Sequence, residues 1–166
     1  SLMKGQIASL ILVLFIIFVL FTVLYTSWLA GLLALVPNLI PIVLNFGLMG
    51  YLGVPLNPGT AMVTAIAIGV AVDDTIHLMT RFGTESKLHL DERDAGRATI
   101  RAEAVPIVST SFALALGFVV LALSNFSIVA QFGLLAAATM IYAAVADLLI
   151  MPILLRHLRL ATVWDI

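Results

Sequence analysis

Apolar residues fill five long stretches of this chain, and polar residues gather in the gaps between them. The stretches run at about 7–25, 28–52, 58–82, 104–123 and 130–155. Each approaches or exceeds the roughly 20 residues a helix needs to cross a hydrocarbon core about 30 Å thick. Within them Leu, Ile, Val, Ala and Phe follow one another without strict alternation, which favours helices over barrel strands. The gaps carry turn chemistry: Thr26-Ser27, then 53–58 with two prolines, then Ser124-Asn125-Phe126-Ser127. The only long polar segment is Gly83–Glu103. Asp91 there can cap a helix reaching about Glu103, with Glu92 and Asp94 in its first turn. Arg93, Arg97 and Arg101 recur every four residues as one basic stripe. The pattern predicts an all-α membrane protein: a bundle of five transmembrane helices with one short cytoplasmic amphipathic helix.

Composition agrees. The 166 residues are 63% hydrophobic and only 10% charged, against about 45–50% and about 25% in soluble domains. A net charge of -1, with no aromatics interleaved among the arginines, argues against a nucleic-acid surface. The absence of cysteine removes disulfides and thiolate sites. No phosphate-binding loop and no hydrolase or metalloprotease signature occurs, so neither an ATP motor nor an enzyme is expected, and no cofactor is implied. The run from Ile7 to Tyr25 is longer than a signal-peptide core and ends without a small-x-small site. The start at Ser1 suggests a fragment.

Lys and Arg set the expected orientation. With the N-terminus outside, Arg81, Lys87, Arg93, Arg97, Arg101, Arg156 and Arg159 fall inside and only Lys4 outside. That predicts a multi-pass protein with its N-terminus outside and its C-terminus cytoplasmic.

Polar groups inside the apolar runs are the candidate chemistry. Asp73 and Asp74 are adjacent near the middle of the third span. An acidic residue at mid-bilayer costs about 2.5–3.5 kcal/mol on insertion scales. Desolvation and mutual repulsion prevent two such neighbours from both staying charged without a partner. A carboxyl that alternates between charged and neutral is a proton-binding site. The alternative is a pair locked in static hydrogen bonds or ion pairs. Gly69, Asp73 and His77 lie at i, i+4 and i+8 on one face, which places an exchangeable imidazole one turn from the acid and an open position on the other side. The Asp–His spacing also suits a metal, but a metal needs further ligands. At 1.5 Å per residue, Asp74, Thr110 and Asp147 all fall roughly 9–12 Å from the inner helix ends. Thr75, Ser109, Thr110, Ser111 and Asp147 are therefore expected to form a polar layer with the carboxylates. Asp147 has the alternative of reaching the inner surface unaided, being near a helix end. In the second span Pro37, Asn38, Pro41 and Asn45 predict a kink and helix–helix hydrogen bonding, with a gating hinge as the sharper alternative.

The stretch Asn57-Pro58-Gly59-Thr60-Ala61, followed by Gly69-Val70-Ala71-Val72-Asp73-Asp74-Thr75-Ile76-His77, resembles the fourth or tenth helix of the resistance-nodulation-division (RND) superfamily, closest to its hydrophobe-exporter, MMPL-like and Patched-like branch. Val36-Pro37-Asn38-Leu39-Ile40-Pro41 resembles the helix before it, and Ala146-Asp147-Leu148-Leu149-Ile150-Met151-Pro152 the last helix. The resemblance implies the last five helices of one six-helix repeat. The ending around Arg156-His157-Leu158-Arg159 favours the C-terminal repeat. It further implies a bacterial inner-membrane exporter driven by proton-motive force, with hydrophobic or amphiphilic substrates such as lipids or drugs. Asp73 and Asp74 would be the proton carriers, His77 a relay, and the N-terminal repeat and external domains the missing partners. Drug-efflux relatives pair their acids with a membrane lysine. No Lys lies inside any span here, so a counter-charge would come from the missing half. A non-transporting, sterol-sensing-like regulatory domain is the alternative.

Overall fold

The computed structural model describes residues 2–89 and 91–155. Arg156, His157 and Arg159, which entered the orientation and repeat arguments, lie outside the described residues. Five helices follow one another: α1 Leu2–Leu24, α2 Trp28–Leu52, α3 Pro58–Leu88, α4 Glu92–Ala122 and α5 Ser127–Leu155. All five are long and apolar enough to cross a membrane.

The polar gaps work as helix punctuation. The Ser27 hydroxyl accepts from the Ala30 N–H and starts α2. Asn57 and Thr60 exchange side-chain and backbone hydrogen bonds at 2.8 and 2.9 Å, a reciprocal cap on α3, with Pro58 in the first turn where its missing N–H costs nothing. Asp91 accepts from the Arg93 N–H and starts α4. Gly53 ends α2 at φ +66, a left-handed conformation suited to glycine, and the Val54 N–H then closes back on the Met49 carbonyl.

Gly83–Glu103 departs from the expectation. It is not a connection carrying its own short helix. α3 continues to Leu88, and the helix begun at Asp91 does not stop at Glu103 but runs on unbroken to Ala122. The physical reason lies at Pro106, where the polar and apolar parts meet. A proline removes one backbone hydrogen bond, here the one to the Ala102 carbonyl, and no glycine or asparagine stands nearby to end the helix. At 31 residues each, α3 and α4 measure about 46 Å, so roughly 15 Å of each exceeds the hydrocarbon core.

α5 is the central helix, packed against α2, α3 and α4, while α1 rests on α2 at the edge. Small residues let α5 approach its neighbours: Ala136, Ala137, Ala143, Ala144 and Ala146 are all buried. At Gly133 the helix comes close to the backbone of α4. A Cβ there would sit 2.6 Å from both the Phe118 carbonyl oxygen and the Ala122 nitrogen. Phe21, Tyr25, Leu78, Met79, Phe82, Met151 and Leu155 form the core toward the α3–α4 connection, and Met49, Val63, Leu135 and Ala136 a second cluster toward the opposite end. Outside, the bundle is apolar: Ile11, Phe15, Val23, Val105, Val120 and Leu149 are largely exposed, as lipid-facing residues are.

Candidate functional site

The polar residues of α3 separate according to the face they occupy. Asp73 and His77 point to an open side, with side chains 73% and 64% exposed, and face each other at 3.7 Å. Together with Gly69, Asp74, Glu103 and Thr110 they line a groove of about 790 Å³ between α3 and α4. Its remaining walls are apolar, from Val70, Pro106, Ile107, Ala113 and Leu114. Nothing lies within 4 Å of where a Cβ on Gly69 would stand. This glycine therefore leaves open space on the groove and seats no helix of this chain.

The next two residues turn inward. Asp74 is 7% exposed and Thr75 is fully buried. Thr75 Oγ1 donates to Asp147 Oδ1 of α5 at 3.2 Å and accepts from Asn38 Nδ2 of α2 at 3.3 Å. The Asn38 amide also donates to the Ala34 carbonyl at 2.6 Å. Three helices thus share one hydrogen-bonded chain, Asn38 to Thr75 to Asp147. The Asp147 side chain is buried rather than reaching the surface, with the residue 1% exposed. One oxygen of each of these carboxyls, Oδ2 of Asp74 and Oδ2 of Asp147, has no hydrogen-bond partner. Among the described residues neither makes an ion pair with a lysine or arginine.

The hydroxyl triplet on α4 does not act as a unit. Successive helical residues are about 100° apart, so three in a row cannot all face one layer. Ser111 is buried, its hydroxyl without a partner. Thr110 reaches the groove while bonding back to the Pro106 and Ile107 carbonyls. Ser109 is exposed and bonds back to the Val105 carbonyl at 2.7 Å, outside the polar layer in which it was expected.

Asn38 carries the inter-helix bonding expected of the Pro-Asn stretch. Asn45, two turns along the same face, is buried with both amide atoms unpartnered. Glu85, on the extension of α3, is buried between Arg81 at 2.8 Å and His89 at 3.5 Å, spacings of four residues that the sequence already displays. The Tyr25 hydroxyl closes α1 onto α3, donating to the Ile76 carbonyl and sharing a 2.9 Å bond with Thr80.

Comparison with known proteins places the chain. A sequence model of the MMPL family matches residues 2–161. The chain belongs to the MMPL family. The membrane protein MJ1562 of Methanocaldococcus jannaschii is 27% identical over 127 residues, covering 76% of this chain and 33% of that protein. Protein patched homolog 2 of Mus musculus is 29% identical over 133 residues, covering 80% of this chain and 11% of its own length. Protein patched homolog 1 of Caenorhabditis elegans is 30% identical over 110 residues, 66% of this chain and 8% of its own. The chain thus spans a third or less of the length of these relatives. No solved structure gives a significant match. Family and helices together make it a multi-pass MMPL membrane domain, related to the Patched-type RND proteins.

Proposed function

We propose that this MMPL domain is the transmembrane part of a proton-motive-force-driven exporter of hydrophobic or amphiphilic molecules. In this reading the N-terminus of the segment lies outside, the α3–α4 connection is cytoplasmic, and the membrane is a bacterial inner membrane. The observation that carries the proposal is the pair of buried carboxyls, Asp74 and Asp147, set on two packed helices with no cationic partner among the described residues. Holding both charged in low dielectric is costly, and apolar residues would pack the same place more cheaply. A bound proton removes the charge and with it most of that cost.

The geometry suggests a division of work. Asp73 and His77 stand on the open groove, where a proton can be exchanged with water or with a facing helix of the missing repeat. Asp74, the next residue, lies between that groove and the interior. Thr75 links the interior to Asp147 and Asn38. Loading or unloading Asp74 changes the charge beside this chain of bonds. The packing of α3 against α2 and α5 then has two arrangements of different energy, which is what coupling to a gradient requires.

The test uses the full-length protein in proteoliposomes with an imposed pH gradient. Asp73→Asn and Asp74→Asn each abolish gradient-driven export while expression and insertion stay near normal, since Asn keeps the shape and removes the titration. The groove supports a second reading, a sterol-sensing-like regulatory domain, because its walls are largely apolar and it opens outward. In that case the Asn variants bind the apolar ligand normally and no gradient-driven flux exists to lose.

A further inference from the structure

A second groove, remote from the carboxylates, has a polarity that the proton reading does not use. It lies where the polar start of α4 crosses the end of α5, and holds about 410 Å³. Arg93, Arg97 and Arg101 stand along one side, spanning about 12 Å of helix rise. The other walls are Ile100 of α4 with Leu148, Leu149, Pro152 and Ile153 of α5. Leu149 is 64% exposed and Ile153 56%, so the apolar walls open onto the lipid-facing surface.

The arginines are available. Arg93 and Arg101 make no ion pair with any described residue, and Arg97 makes one long contact of 3.7 Å with Asp94, both side chains being exposed. A stripe of positive charge at a membrane boundary ordinarily needs only water around it. Here it borders a recess whose far walls are hydrocarbon. Charge on one wall thus faces apolar surface on the other, the two chemistries that the phosphate and acyl chain of one lipid would meet. The level also fits. The roughly 15 Å of α4 that exceeds the hydrocarbon core is the part bearing the arginines, at headgroup depth.

We propose that this groove binds one anionic phospholipid from the leaflet at the α3–α4 end. The phosphate lies among Arg93, Arg97 and Arg101, and an acyl chain runs along Leu148, Leu149 and Ile153. Guanidinium groups suit the phosphate because each can offer two parallel N–H donors. The bound lipid would brace the start of α4 against the end of α5.

Native mass spectrometry of the full-length protein, reconstituted in phosphatidylcholine doped with phosphatidylglycerol, tests the site. Wild type is expected to retain phosphatidylglycerol about tenfold over phosphatidylcholine, with each basic residue near the surface adding to the attraction. The triple variant Arg93→Gln, Arg97→Gln, Arg101→Gln loses the preference. Leu149→Trp, which fills the apolar end and leaves every charge in place, also loses it. A diazirine analogue of leucine at position 149, close to leucine in size, crosslinks to lipid. Equal retention of the two lipids by wild type, or a persisting preference in the triple variant, overturns the proposal. Undiminished phosphatidylglycerol binding by Leu149→Trp reduces the site to a generic basic surface and overturns the groove. Displacement by millimolar inorganic phosphate marks a free-anion site, and crosslinking at position 149 to another segment of the same protein marks a covered interface. Either result also overturns it.

Discussion

Asp73 and Asp74 are neighbours in sequence but about 100° apart around α3, and that rotation gives two identical side chains different surroundings. One faces an open groove beside His77; the other is buried. The sequence displays the pair as charges in an apolar run, but it does not display which acid faces which way. Asp147 makes the same point from the other side. Its height along α5 follows from counting residues, whereas its burial depends on the facing of the helix, which counting does not give. Asn38 was legible as a helix-bonding residue because an amide between two prolines in an apolar helix needs a partner; that the partner is Thr75 was not.

Thr75 is where this scale becomes testable. Thr75→Val keeps the shape but removes the donor to Asp147 and the acceptor for Asn38, leaving buried polar groups unpaired. The expected loss is about 1–3 kcal/mol of stability, read as a lower thermal midpoint in detergent. Thr75→Ser, which keeps the hydroxyl, recovers most of it. His77→Ala, on the open groove, leaves the midpoint unchanged and slows gradient-driven export less than Asp74→Asn does.

At the scale of elements, the apolar runs placed all five helices, and the turn residues marked the starts of α2 to α5. The prolongation of α4 through Pro106 escaped the pattern because a change from polar to apolar composition marks a membrane boundary, not a helix boundary. The tight crossing of α4 and α5 was equally hidden, since Gly133 looks like any other glycine of the apolar runs until its neighbours are known. Gly133→Val places a side chain against the Phe118 carbonyl and the Ala122 nitrogen, both backbone. It should destabilise the bundle by about 1–3 kcal/mol or more, as overpacking does. Gly69→Ala, in open space, should leave stability unchanged. Fluorescence-detected thermostability of the two variants side by side checks both statements.

For the whole molecule, the apolar exterior and the family assignment make a multi-pass membrane domain, and the proposed orientation, N-terminus outside, is an expectation from the lysines and arginines. A chain without cysteine allows that orientation to be probed cleanly. Leu88→Cys lies at the exposed end of α3, and Asn125→Cys lies in the turn before α5. In intact cells an impermeant thiol reagent should label position 125 and not position 88; the reverse pattern inverts the topology. The chain spans a third or less of these relatives; on the proposed reading, the facing wall of the α3–α4 groove and any counter-charge for the carboxyls come from a further repeat.

Export driven by an imposed pH gradient, measured in proteoliposomes containing the full-length protein with Asp73→Asn and Asp74→Asn combined, tests proton carriage on α3 most directly. Proton carriage there requires wild-type insertion and folding with export reduced to the rate seen without a gradient. Export by the double variant at the wild-type rate would contradict it, and the carboxyls would then be a static pair.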